Sequence, residues 1–140
     1  MGAKPTAKDQ GPLFNDAVTL LDSLGVAGAG DDPFLPYLIN SVTERVKNET
    51  NQQEIPEGLH WVSVELVVGE YLTFKKNAGQ LDMNGLDFEA AIKQIQEGDT
   101  NTVFAVGEGS LTPEQRLEVL ISRLTRDRTR EFIRYRRLVW

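Results

Sequence analysis

The stretch from Ile55 to Phe74 constrains the fold most, because it is roughly 20 residues long and apolar on almost every side. Its length and its lack of strict alternation favour a helix over a strand. A helix that is apolar all round is buried by other elements. We therefore predict a central helix that starts at Ile55-Pro56-Glu57, with Gly69 allowing another helix to cross closely. Its apolar residues are Leu59, Trp61, Val62, Val64, Leu66, Val67, Val68, Tyr71, Leu72 and Phe74.

Two helices are predicted before this central one. The first covers Leu13 to Leu24 and ends at Gly25, a common residue just after a helix. The second starts at Asp32 and runs to about Asn48 or Asn51, with an apolar stripe at helical spacing. Residues 1–12 show no periodicity and are predicted to form a flexible arm. Residues 13–140 are predicted to form a single domain.

A further helix is predicted to start at Thr112 and continue to the end of the chain. Thr112 and Gln115 have the spacing of a capping box, and Pro113 fits the first turn. Helical spacing places the apolar residues on one arc and six arginines on a narrower arc beside it. The apolar arc holds Leu117, Leu120, Ile121, Leu124, Phe132, Tyr135 and Leu138, and the arginine arc holds Arg116, Arg123, Arg126, Arg130, Arg134 and Arg137.

Charge is divided unevenly along the chain. Residues 116–140 carry eight arginines and three acidic residues, whereas residues 1–115 carry seven basic and 18 acidic residues. Arginine forks onto carboxylates and phosphates, so its exclusive use here favours a docking surface. The alternative is a solvated face with pairs inside the helix, such as Asp127 with Arg123. Tyr135 and Trp140 add aromatic anchors to the proposed docking surface.

Residues 92–105 are predicted to form a short β-hairpin or a protruding loop around Gly98-Asp99, although Ile92 and Ile95 also fit a continuing helix. The predicted fold class is therefore mainly α. It is a small bundle of about four helices, with this hairpin or loop and a long C-terminal helix.

Composition argues against several classes of function. The chain has no cysteine and one histidine, His60, and no cofactor or metal site is predicted. The sequence contains no nucleophile elbow and no phosphate loop, so we expect no enzymatic activity. No uninterrupted apolar run approaches the roughly 20 residues that span a bilayer, and we expect a soluble intracellular protein. A net charge of −6 disfavours nucleic acid as the main partner.

The order of several segments from Leu13 to Trp140 resembles the bacteriophage head-tail connector family, also called head-completion adaptors. The second helix ends in Ser41-Val42-Thr43-Glu44-Arg45-Val46-Lys47-Asn48, and Val64-Glu65-Leu66-Val67-Val68-Gly69-Glu70-Tyr71 lies in the apolar helix. Ile92-Lys93-Gln94-Ile95-Gln96-Glu97-Gly98-Asp99-Thr100 follows, and Tyr135-Arg136-Arg137-Leu138 is similar to the family's C-terminus. The polar N-terminal arm and the long arginine-rich segment depart from the family pattern.

This resemblance implies a structural virion protein whose copies form a ring below the portal. The ring would extend the DNA channel and carry the tail, so the implied partners are the portal protein, further copies of the chain, and a downstream connector or tail protein. Glu97, Gly98 and Asp99 would face the channel, through which DNA passes without specific binding. The implied location is the head-tail interface of the virion, after assembly in the host cytoplasm. The competing hypothesis is a small helical DNA-binding regulator that uses the arginine-rich C-terminal helix.

Overall fold

The structure, a computed structural model, describes residues 11–87 and 112–138. The protein is mainly helical, as predicted, and no strand occurs in these two ranges. Single 3-10 turns lie at Ala29–Asp31, Glu57–Leu59 and Met83–Gly85. The α-helices are α1 Pro12–Ser23, α2 Phe34–Thr50, α3 His60–Asn77, α4 Pro113–Leu124 and α5 Thr129–Arg134.

Helix α1 ends as its sequence predicts. Gly25 has a φ of 89°, which an L side chain rarely adopts, and its N–H donates to Asp22 O at 3.0 Å. The N–H of Val26 donates to Leu21 O at 2.9 Å, which completes a Schellman motif. Val26 is buried, so this turn directs the chain back into the core.

Asp32 holds the start of α2 against the end of α3. Its Oδ1 accepts the N–H of Phe34 at 2.9 Å, and its Oδ2 accepts Tyr71 Oη at 2.8 Å and Lys75 Nζ at 2.7 Å. Burial alone raises the pKa of Asp32, but these hydrogen bonds outweigh burial and lower that pKa below its ordinary value. Burial and the neighbouring Asp32 carboxylate raise the pKa of Tyr71. The carboxylate is therefore both a helix cap and an inter-helix link.

Helix α3 is the central element, as predicted, and packs against α1, α2 and α4. Its start is later than predicted, because Pro56 precedes a 3-10 turn and the α-helix begins at His60. Leu66 is buried with much of the rest of α3. The predicted close crossing at Gly69 is confirmed, because a Cβ there would lie 2.6 Å from Thr125 Cγ2 and 2.9 Å from Leu124 Cβ.

His60 lies half-buried at the contact between α3 and α1. Its Nε2 is 2.5 Å from Asp16 Oδ2, and its ring meets the exposed Trp61 edge-on at 5.2 Å. Among the described residues, no group of three or more His, Cys, Asp or Glu side chains could hold a metal ion.

Several sequence predictions fall outside the described ranges. The hairpin or loop near residues 92–105 lies there, as do residues 1–10 of the predicted arm. The last residue of that arm, Pro12, is the first residue of α1. Within residues 11–87 and 112–138, no helix is long and apolar enough to cross a membrane.

Candidate interface at the C-terminus

Helix α4 begins with the predicted capping box. Thr112 Oγ1 accepts the N–H of Gln115 at 3.1 Å, and Gln115 Oε1 accepts the N–H of Thr112 at 2.9 Å. Leu117, Leu120 and Leu124 are the buried residues of α4. The helix packs along α3, so the apolar arc predicted for this region is confirmed as far as Leu124.

The prediction of one long C-terminal helix is wrong, because α4 ends at Leu124 and α5 starts at Thr129. The side chains between the two helices donate hydrogen bonds to backbone carbonyls at the end of α4. In a helix that ends at glycine, backbone N–H groups usually make these bonds. Thr125 Oγ1 donates to Ile121 O at 2.7 Å, and Arg126 Nη1 donates to Arg123 O at 2.8 Å. Arg128 Nη2 donates to Leu124 O at 3.1 Å.

Asp127 lies at the start of α5. Its Oδ1 accepts the N–H of Thr129 at 2.9 Å and Thr129 Oγ1 at 2.5 Å. Both hydrogen bonds lower the pKa of Asp127, and the bond from the Thr129 hydroxyl has the larger effect. An Asp that binds the backbone two residues later favours a turn over a continuing helix. The spacing of Asp127 and Thr129 was therefore a visible signal for the break, but periodicity alone does not register it.

Arg128 is the deepest charged side chain of this region, with 1% of its side chain exposed. Its Nη2 donates to Glu65 Oε1 on α3 at 2.5 Å, and its Nη1 lies 3.7 Å from Glu131 Oε2. Arg126 Nη1 lies 3.6 Å from the same Glu65 oxygen. Burial, then the charges of Arg128 and Arg123, lower the pKa of Arg126. Arg126 and Arg128 therefore connect the segment between α4 and α5 to Glu65 on the central helix α3.

Helix α5 and the following tail are anchored on the body of the protein. Phe132 is buried in the core, and the Tyr135 ring covers Gly58, where a Cβ would lie 1.9 Å from Tyr135 Oη. The N–H of Arg137 donates to Thr50 O at 2.8 Å. Two amides at the end of α2 also hold tail carbonyls: Gln52 Nε2 donates to Tyr135 O at 2.5 Å, and Asn51 Nδ2 donates to Arg137 O at 3.0 Å.

This anchoring leaves a set of outward side chains that we call the basic face. It combines four exposed arginines with two exposed aliphatic residues, Ile133 at 61% and Leu138 at 74% exposure. Aliphatic groups beside guanidinium groups suit a protein partner, because both kinds of contact are common in interfaces. The basic face consists of Arg130, Ile133, Arg134, Arg136, Arg137 and Leu138.

The structure divides the predicted docking residues into two groups. Arg116, Arg123 and Arg126 are half-buried on α4 or directly after it, whereas Arg130, Arg134 and Arg137 lie on the basic face. The predicted alignment of Arg123, Arg130 and Arg137 along one straight helix is therefore wrong, since the break at residues 125–128 separates them.

Tyr135 packs against its own chain. Trp140, Glu97, Gly98 and Asp99 lie outside the described residues. The predicted helical arcs included neither Arg128 nor Ile133. Arg128 is the buried anchor of this region, and Ile133 is an exposed apolar residue of the basic face.

The chain matches no protein-family model, no curated protein and no solved structure.

Proposed function

We propose that this protein is a structural subunit of a bacteriophage head-tail connector. In this role its copies form a ring below the portal, extend the DNA channel and provide the attachment platform for the tail. The observation that carries the proposal is the basic face, a firmly anchored surface of arginine and aliphatic side chains on an otherwise acidic helical protein. The order of sequence segments that resembles the connector family supplies the biological setting.

The distribution of charge fits the two demands of a connector. A DNA channel should repel phosphate instead of holding it, and residues 1–115 carry 18 acidic side chains against seven basic ones. A docking surface has to attract an acidic partner, and exposed guanidinium groups do so. In the proposal, the segment near residues 92–105 is a hairpin or loop, and its Glu97, Gly98 and Asp99 face the channel.

Charge reversal on the basic face tests the docking role. Arg130→Glu with Arg134→Glu changes two exposed side chains, so helical content and cooperative melting should be retained. In a phage that lacks its own copy of this protein, the double variant should fail to yield DNA-filled, tailed particles. Lys4→Glu with Lys8→Glu makes the same change in net charge outside the basic face and should support normal yields. Normal yields from the arginine variant would refute the docking role.

A DNA-binding regulator is the second candidate, because the four exposed arginines could also contact phosphates. Helix α5 has six residues, fewer than two turns, which is short for a helix that reads a DNA groove. A gel-shift experiment with duplex DNA at physiological salt separates the two functions. A connector subunit should leave the duplex unshifted, whereas a regulator should shift it and lose the shift in the Arg130→Glu, Arg134→Glu variant.

A further inference from the structure

A second exposed surface lies between the N-terminal half of α2 and the C-terminal half of α3. Phe34 stacks on Tyr37 and on Phe74, with ring centroids 5.5 and 4.0 Å apart. Tyr37 is 63% exposed and Phe74 is 42% exposed. The surface continues as a groove past Leu38 to the ion pair of Arg45 and Glu70 and to Thr125. We call this surface the aromatic groove.

The charged side chains at the aromatic groove are paired with one another. Arg45 and Glu70, which line it, form an ion pair with Arg45 Nη2 2.5 Å from Glu70 Oε2. Lys75 and Lys76 follow Phe74, but Lys75 binds the Asp32 carboxylate and Lys76 pairs with Glu118 on α4. Among the described residues around the rings, these two lysine charges are therefore already balanced by acidic partners.

The basic face carries guanidinium and aliphatic groups, both of which pack favourably on aromatic rings such as those of the groove. Residues 128–138 contain five arginines and one acidic residue, Glu131. A guanidinium group over an aromatic ring is stabilised by the ring quadrupole, by about 0.5–1 kcal/mol at an exposed site. Ile133 and Leu138 supply aliphatic surface that the rings of Tyr37 and Phe74 could bury.

Within one molecule, the basic face and the aromatic groove lie apart. The hydrogen bond between Arg137 N and Thr50 O fixes the tail of the basic face at the C-terminal end of α2. Tyr37 lies in the first turn of the same helix, about 20 Å away at a rise of about 1.5 Å per residue. Because Phe132 and Arg128 anchor α5 to its own core, the basic face is held away from the rings of its own groove.

We propose that the aromatic groove receives the basic face of a second copy of this chain. Two different surfaces then meet, so one copy of a pair still has a free basic face and the other still has a free groove. Such a head-to-tail contact closes into a ring or extends as a filament. The inference rests on the proposed function for its setting, and it specifies which surface of the neighbouring subunit faces the arginines.

The absence of cysteine from the chain allows a direct test by disulfide cross-linking. Ser41→Cys, which lines the groove and keeps its rings, and Arg134→Cys in one chain place a thiol on each surface, and the purified full-length protein is oxidised at high concentration. The expected result is a ladder of covalent oligomers larger than dimers on a non-reducing gel. Each single variant should remain largely monomeric, because a head-to-tail contact does not bring identical thiols together.

A matched control keeps Ser41→Cys and moves the second thiol to the exposed Ser122 on α4. This Ser122→Cys control should give no ladder, and Arg130→Glu should abolish the ladder of the test pair. An equal ladder in the Ser122 control, no ladder from the test pair, or efficient dimers from either single variant would each overturn the inference.

The same samples separate this inference from the connector role. Portal binding in a pull-down without a ladder would overturn the head-to-tail contact alone. A ladder without portal binding would support the contact between copies and overturn the portal-docking role.

Discussion

The buried ion pair between Arg128 and Glu65 should be one of the most sensitive points of the fold. Arg128→Met removes a guanidinium group that donates to Glu65 Oε1 at 2.5 Å and to Leu124 O at 3.1 Å. The Glu65 carboxylate, with 12% of its side chain exposed, then keeps its charge with less compensation. Removing one partner of a buried pair costs about 3–5 kcal/mol. Arg126, at 3.6 Å from the same oxygen, offsets part of this loss, so we expect about 3 kcal/mol.

Urea unfolding followed by circular dichroism measures this effect. With a slope of about 1–3 kcal/mol per molar urea, a loss of about 3 kcal/mol lowers the midpoint by about 1–3 M. The exposed Arg130→Met is the matched control and should change the free energy of unfolding by less than about 0.5 kcal/mol.

The double variant Glu65→Met, Arg128→Met tests the reason for the loss. Replacing both charges by apolar groups is often nearly neutral, so much of the lost stability should return. Two results would refute the coupling between Glu65 and Arg128. One is a loss of unfolding free energy below about 1 kcal/mol for Arg128→Met, and the other is a double variant whose loss equals the sum of the two single-variant losses.

Three further predictions concern the body of the protein. Leu66→Ala should lose about 2–5 kcal/mol of unfolding free energy, because it leaves a cavity in the central helix; a loss under about 0.5 kcal/mol would contradict that burial. Gly69→Ala should cost about 1–3 kcal/mol through its clash with α4, whereas Gly30→Ala, whose Cβ would have no neighbour nearer than 3.6 Å, should be nearly neutral in the same melts. Asp32→Asn should cost about 1.5–3 kcal/mol near neutral pH by weakening the link to Lys75. Because the folded pKa of Asp32 is lowered, the wild-type advantage should be complete above its ordinary value of 3.8 and should disappear as the pH falls through the lowered pKa; an advantage that persists in acid would contradict this.

The amino-acid sequence by itself determined the helical character of the protein, the approximate positions of its first three helices and the start of α4. Local signals sufficed for this, because Gly25, Asp32 and the capping box at Thr112 act on backbone groups within a few residues. The apolar run around Leu66 also fixed which helix is central, since a helix without a polar face has to be covered on all sides.

Only the tertiary structure decided which side chains of the C-terminal segment are buried and which are exposed. The apolar residues on either side of residues 125–131 fall on one helical arc, so the sequence pattern favoured one straight helix with a line of arginines. Asp127 favours the break locally, and the contacts of Arg128 with Glu65, 63 residues earlier in the chain, and of Tyr135 with Gly58 hold α5 and the tail in place. These contacts join positions far apart in the sequence, and periodicity carries no information about them. They bury one arginine and leave Arg130 and Arg134 exposed, and thereby determine which guanidinium groups are available to a partner.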